Sequence, residues 1–364
     1  MKIKPKELLK NTKIKIIICF VVLIVLVVIG IFAYNKISIM TKENEYADKI
    51  YNVISLKYKD KGKYMDKINK QIDNFKKSKV SSKDGINSKL LQIADKAVDE
   101  NYLLGAGTVL DSCSGKNQFK DSKRAVMYKL AKAYEKTANK ENEGYYFAYM
   151  WYDDCKDYSD AKEVKKEVAF KYAEECYKNN DYYGAYTYYE YSGKNDKTIS
   201  DRIKECKYNS IIESLENLYL YDDENLEDED IKIVKSLGDY KYAKEIYLWA
   251  YLHKKAESVQ DDAYEIAVNR LKDRLKDPSS YEEDDVDYAV TTLQKSESDG
   301  YGEFHITLTI DYYANNSFGA KTSGYFFDTV KIDYIDLLGF SYKKADKIFM
   351  CSATEIADDA KKAK

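Results

Sequence analysis

Residues 170–207 read FKYAEECYKNNDYYGAYTYYEYSGKNDKTISDRIKECK. This stretch decides the fold. Apolar and small residues at helical spacing run to Lys178 and stop at Asn179-Asn180-Asp181, a run of turn formers. A second helix rich in Tyr follows, and Gly193 to Asp196 leads into a third. Ala185 on the inner side lets the two helices approach closely, while aromatic rings fill the space between pairs.

The same arrangement recurs on both sides. Tyr128, Phe170 and Tyr208 hold equivalent places in first helices, 42 and 38 residues apart. Second helices are expected at Tyr145–Ala148 and Tyr182–Ala185, with an earlier unit at Tyr102–Ala106. Short connectors are expected at Phe119–Ser122, Asp157–Asp160 and Gly238–Lys241, where Asp or Ser can cap the free N–H groups of the next helix. A period near 40 with helix-turn-helix content is the mark of an α-solenoid. With Pro only at positions 5 and 278, nearly the whole chain is free to run in helices.

The stretches KDYSDAKEVKKEVAFKYA, DRIKECKYN and SLGDYKYAKEIYLWAYL resemble the tetratricopeptide-like repeats of many exported or membrane-anchored Gram-positive proteins. Lys204-Glu205-Cys206-Lys207-Tyr208 and Gly238-Asp239-Tyr240-Lys241 carry the likeness most directly, over about residues 90–252. The resemblance implies a protein-interaction scaffold. The units depart from the usual 34-residue length, and the acidic insertion Asp222–Asp230 interrupts the third. That insertion lacks the Gly and ligand spacing of a calcium loop and reads as a solvated connection.

Ile16 to Tyr34 is an uninterrupted apolar run of 19 residues. At 1.5 Å per residue it spans about 28 Å, close to the ~30 Å hydrocarbon core of a bilayer. Six Lys and one Glu precede it, giving +5, which leaves −8 on the rest of a chain whose total is −3. Clustered Lys stays cytoplasmic, so the expectation is a single-pass anchor with the bulk of the chain extracytoplasmic. A cleaved signal peptide is the alternative, but the run is long for one and no small-x-small site follows. A negative exterior part argues against nucleic-acid binding.

Past the anchor, Ile50, Val53, Ile54, Met65, Ile68, Ile72 and Phe75 recur at three and four among many Lys, which suggests two stalk helices broken near Gly62. From Asp261 the pattern changes. A helix ends before Pro278, and Phe304, Ile306, Leu308 and Ile310 alternate with His305, Thr307 and Thr309 as in a half-buried strand. Further strands are expected at Tyr288–Leu293 and Gly324–Ile332, making an α+β module. Lys276–Ser280 and Asn316–Ala320 are similar to a small module of Gram-positive and phage-related surface proteins, in which the second segment tips a hairpin. Phe318 is expected to fold back over the sheet, and the tail from Leu337 to Lys364 to be helical near its end and to fray.

The expected architecture is thus mainly α. It comprises a basic tail (1–15), a transmembrane helix (16–36), a helical stalk (37–85), tetratricopeptide-like repeats (86–255) and an α+β module with antiparallel sheet and tail (256–364).

Catalytic chemistry is not expected. His253 and His305 fall on different elements, and no zinc, nucleophile-elbow, Walker or dinucleotide motif occurs in a supporting context. Asp153-Asp154 and Glu174-Glu175 are adjacent carboxylates of the kind that solvated helix faces carry. Neither a cofactor nor a metal is expected, and Cys113, Cys155, Cys176, Cys206 and Cys351 read as small apolar residues. The aromatic stripe holds Tyr182, Tyr183, Tyr186 and Tyr189 as candidate partner-binding residues, because one helix cannot bury every side of itself. Packing between repeats is the competing use. The expected function is a non-catalytic, membrane-anchored scaffold for a protein or peptide partner. An envelope sensor or polymer binder working through the C-terminal module is the alternative.

Overall fold

The computed structural model describes residues 12–138, 144–221, 225–297 and 300–363. Residues 1–11 of the basic tail and the first three residues of the acidic insertion lie outside the described residues. The protein is mainly helical, with one long apolar N-terminal helix and a small C-terminal antiparallel sheet. It divides into two compact units, residues 1–172 with 191–193, and residues 173–190 with 194–364.

The first unit begins with α1 (Thr12–Ile54), then α2 (Lys61–Lys77), α3 (Lys83–Asp99), α4 (Leu103–Asp111), α5 (Asn117–Thr137), α6 (Gly144–Asp154) and the start of α7 (Ala161–Lys178). The N-terminal part of α1 has a mean hydropathy of 2.8 over its most apolar stretch and is not buried against any of the described residues. The same helix then changes character. Ile50 and Ile54 have no exposed surface, and they join Ile68, Phe75, Leu90 and Leu130 in one core.

Contacts at both ends fix the directions. The Tyr46 and Phe75 rings stack at 5.2 Å, while the Tyr64 hydroxyl donates to the Ile54 carbonyl at 2.7 Å, so α2 runs back along α1. Lys89 reaches Asn44 at 2.7 Å and the Lys96 ammonium sits 3.9 Å from the Tyr51 ring centroid, so α3 runs with α1. Lys76 donates to the Ser112 carbonyl at 3.0 Å, which brings the end of α4 beside the end of α2. In the next hairpin Tyr134 faces Phe147 at 5.2 Å and Tyr128 faces Tyr152 at 5.6 Å, so α5 and α6 are antiparallel.

Two expectations change here. Residues 37–85 are not a stalk standing apart from the helical hairpins, because their apolar stripe is buried in the same core as α3 to α6. The helix break expected near Gly62 falls at residues 55–60, where Asp60 caps α2 through Lys63 N at 3.1 Å. Phe119–Ser122 lies inside α5 and is no connector, whereas Asp157–Asp160 and Gly238–Lys241 are turns between helices.

The second unit takes the end of α7, then α8 (Tyr182–Ser192) as far as Glu190, α9 (Lys197–Tyr221), α10 (Asp228–Leu237), α11 (Ala243–Ser258) and α12 (Gln260–Lys272). A short 3₁₀ turn at Pro278–Ser280 leads into a meander, β1 (Glu282–Lys295), β2 (Tyr301–Asn315) and β3 (Lys321–Asp336) in the order β1-β2-β3. Phe304, Ile306, Leu308 and Ile310 are buried, and opposite them on β3 lie Phe326 and Val330, as the alternation requires.

The tail does not fray. Helices α13 (Tyr342–Phe349) and α14 (Ala353–Lys362) bury Ile348, Phe349, Ile356, Ala357 and Ala360. Trp249 donates to the Cys351 carbonyl at 2.9 Å and Tyr208 to the Ala360 carbonyl at 2.9 Å, so the tail covers α9 and α11. Ser352 and Glu355 form a capping box that starts α14.

Cys113, Cys155, Cys176 and Cys206 are buried. Burial pushes the thiols of Cys113 and Cys155 up to about 11 and that of Cys206 up to about 12. Since the thiolate is the nucleophile, alkylation by iodoacetamide at pH 8 should be slow at these three in the native chain. Unfolding in urea should release all three, as read by mass spectrometry. Fast native labelling at Cys206 would contradict the packing of the second unit.

Candidate functional site

The four candidate tyrosines of the aromatic stripe have clear fates. Tyr189 is fully buried, and its hydroxyl lies 2.6 Å from Glu174, which also pairs with Arg202. Burial, then the Glu174 hydrogen bond, pushes its phenol well above the usual range. Tyr186 is buried too, its phenol raised to about 12 by desolvation, with the Lys207 ammonium 5.5 Å from the ring centroid. Tyr182 is half-buried and donates to Asn180 at 3.2 Å. Of the four candidates only Tyr183, 62% exposed, presents its ring to solvent, so Tyr186 and Tyr189 are core residues and not contact residues. Tyr189 finds its hydroxyl partner Glu174 on α7 and the Tyr186 ring lies under Lys207 of α9, so the groups that cover both rings come from other helices.

The first unit holds a better-formed concavity. The turn after α1 carries Leu56 and Tyr58, which are 55% and 45% exposed. Asp60 starts α2 there and places Lys61 and Tyr64 on its first turn. Tyr58 stacks on Tyr64 at 4.4 Å, and the Tyr64 phenol, donating to Ile54, is raised to about 12 chiefly by burial. The turn from α3 to α4 brings Asn101 and Tyr102 alongside, with Asn101 in the left-handed region (φ 62°) that Asn tolerates. Tyr134 and Phe147 of the α5–α6 hairpin complete a cleft of about 520 Å³. The Lys61 ammonium lies 5.9 Å from the Phe147 ring centroid. Aromatic walls, exposed rims and a few polar groups suit a bound apolar or aromatic side chain.

Gly105 on α4 sets the depth of this cleft. A Cβ there would stand 2.8 Å from Ile54 Cγ2 and 2.8 Å from Tyr64 Oη. Gly105→Ala must therefore push Tyr64 off its Ile54 hydrogen bond or shift α1. It should cost about 1–3 kcal/mol of first-unit stability, measured by urea unfolding followed at Trp151. An unchanged midpoint would mean that the helices are not this close. The sequence carries a signal for this, the small-residue run Gly105-Ala106-Gly107, yet nothing local says which helices meet it.

On the sheet, the odd-numbered positions of β2 and β3 face outward together. Thr307 pairs with Thr329, Thr309 with Phe327, and Asp311 with Tyr325. Phe327 and Tyr325 are 59% and 67% exposed, and Thr307 and Thr329 hydroxyls lie 3.1 Å apart. A shallow hollow of about 360 Å³ beside Tyr325 is lined by Asp284, Asp311, Tyr312 and Ser323. The hairpin tip departs from expectation. Asn316 Oδ1 accepts from Phe318 N at 2.9 Å and Ala320 N at 3.1 Å, and this local closure leaves Phe318 95% exposed instead of folded over the sheet. The base of the hairpin is tied to the Pro278 turn, where Asn315 N donates to Ser280 Oγ at 2.8 Å.

Among the described residues no group of His, Cys, Asp and Glu is placed to hold a metal ion. Of the adjacent carboxylates at 153–154 and 174–175, Asp153 pairs with Lys165 at 2.7 Å and Glu174 with Arg202, while burial raises Asp154 and Glu175 above the usual carboxylate range. Compared with known proteins, the chain matches no family model, no curated protein and no solved structure.

Proposed function

We propose that this chain is a single-pass, membrane-anchored binding protein without catalytic chemistry, its helical hairpins held outside the cytoplasm to dock a protein or peptide partner. The Lys-rich tail before the apolar segment supports that orientation. The resemblance to tetratricopeptide-like repeats is consistent with a docking role. One observation carries the reading: the cleft bounded by Leu56, Tyr58, Tyr64, Tyr102 and Phe147, with two apolar side chains exposed on its rim. Its occupant is a peptide segment bearing an aromatic or large aliphatic anchor, since such a side chain gains most from entering an aromatic-lined hollow.

Selection of displayed peptides on the full-length chain tests this. Selected peptides should share an apolar anchor, and Tyr58→Ala should weaken their binding about 10-fold, roughly 1.4 kcal/mol. Peptides that bind Tyr58→Ala as well as wild type would remove the cleft from the reading. A second reading has its own observation, the exposed row of Tyr325, Phe327, Thr307 and Thr329 on the sheet. Rings and hydroxyls side by side suit a glycan of the envelope. Phe327→Ala with Tyr325→Ala should then abolish retention on such a polymer while peptide binding persists.

A further inference from the structure

At the opposite end of the first unit from the aromatic cleft, two turns meet beside α1. They are the α2–α3 turn and the α4–α5 turn, joined by Lys76 to the Ser112 carbonyl (3.0 Å) and by Lys116 to Asp84 (3.1 Å). Between them is a cavity of about 300 Å³ lined by Lys76, Lys83, Asn87, Leu90, Cys113 and Lys116, among others. Residues 76–83 read KKSKVSSK, four Lys without an acidic residue.

Asn87 in the wall of this cavity is 4% exposed. Its Oδ1 accepts from Ser114 N, and that backbone donor fixes which way the amide is turned. The Nδ2 group is thereby left without an acceptor among the described residues. A buried amide donor with no partner costs stability in an empty site, and it calls for an acceptor oxygen. The lining carries Lys76, Lys83 and Lys116 against Asp84, which Lys116 already pairs, and this net positive charge asks for an anion.

The place of the cavity names the anion's source. Lys89 contacts Asn44 and Phe75 stacks on Tyr46, so both turns flank α1 at about that level. Asn44 follows Tyr34, the last residue of the apolar run, by ten residues on one continuous helix. At 1.5 Å per residue that is about 15 Å. Because α2 runs back toward the apolar run, the four Lys after Phe75 come nearer still, to where a bilayer's headgroup layer begins.

We infer that this cavity binds the phosphate of an anionic phospholipid in the bilayer that α1 crosses, with Asn87 Nδ2 and the Lys76 and Lys83 ammonium groups as donors. The inference rests on the anchoring reading of α1. Ammonium and amide donors match phosphate oxygens, and the Ile86, Leu90 and Cys113 wall gives the ester region an apolar surface to lie against. Holding a lipid there would set the orientation of the first unit on the membrane.

The test uses the full-length chain in vesicles of phosphatidylcholine and phosphatidylglycerol at about 3:1, released directly into native mass spectrometry. Phosphatidylglycerol should be retained over phosphatidylcholine. Lys76→Gln with Lys83→Gln should lower its retention roughly 10- to 30-fold, since each basic residue near an anionic surface is worth a factor of about five. Asn87→Asp keeps the acceptor for Ser114 N, removes the Nδ2 donor, and should lose the lipid with helix content unchanged by circular dichroism. Equal retention of both lipids, or variants that retain phosphatidylglycerol as wild type does, would overturn the site while leaving the anchor intact. Displacement by about 10 mM inorganic phosphate, with no lipid dependence, would overturn the lipid assignment in favour of a soluble anion. A chain that fails to float with the vesicles would overturn both the anchor and the site.

Discussion

Trp249→Ala should lower the stability of the second unit by about 3–5 kcal/mol, the range for deleting a large buried aromatic side chain. Trp249 is 1% exposed and is the largest fully buried side chain among the described residues. Its ring lies 4.6 Å from His253, whose Nε2 is 2.9 Å from the Phe349 carbonyl. Its Nε1–H donates to the Cys351 carbonyl, between α13 and α14. Deleting the ring opens a cavity under the tail and leaves that carbonyl without its donor. Trp249→Phe separates the two effects, because it keeps most of the volume and should cost mainly the hydrogen bond, about 1 kcal/mol. Chemical unfolding of the full-length chain followed by hydrogen exchange at α11, α13 and α14 measures both. Trp151, the other tryptophan of the chain, then reports on the first unit alone. A loss below 1 kcal/mol for Trp249→Ala would mean that α13 and α14 do not cover this helix.

Val25→Arg with Leu26→Arg should move the chain from the membrane to the soluble fraction. Both positions lie near the middle of the apolar run, at 50% and 59% exposure with nothing packed on them. A charged side chain at the centre of a spanning helix costs about 2.5–3.5 kcal/mol on insertion scales. The pair therefore costs about 5–7 kcal/mol, roughly 4,000- to 100,000-fold in partition. Leu23→Ala with Leu26→Ala, by contrast, should leave the chain in the pellet after alkaline extraction. If the double-Arg chain also stays in the pellet, something other than this segment holds the protein there.

How much of this was legible beforehand depends on the range of the forces involved. The hairpins at Asn179–Asp181 and Gly238–Lys241 could be read locally, because turn formers and helix spacing act over a few residues. The strand around Phe304–Ile310 could be read for the same reason, since period-two alternation is a local property. The tyrosines could not be sorted. Tyr183 and Tyr186 are alike in sequence, yet one is exposed and the other buried, and the difference lies in which helix packs over the ring. Phe318 looked like a residue to cover, but Asn316 closes the hairpin tip with its own side chain and leaves the ring outside. The aromatic cleft and the lysine-rimmed cavity were missed altogether. The cleft draws on α1, α2, α4, α5 and α6, and the cavity on α2, α3 and the α4–α5 turn, and no spacing records that these segments meet.

By itself, the order of residues determined that the chain is mainly helical, that one segment is long and apolar enough to cross a bilayer, and that a strand-rich part follows Pro278. These follow from hydrophobic spacing, chain length and turn chemistry, which each segment expresses on its own. Tertiary structure alone decided that residues 47–75 belong to the first unit's core, that the C-terminal helices seal Trp249 and Tyr208, and that Tyr186 and Tyr189 face inward. Burial is a property of what lies on the other side of a side chain, and that neighbour comes from far along the chain.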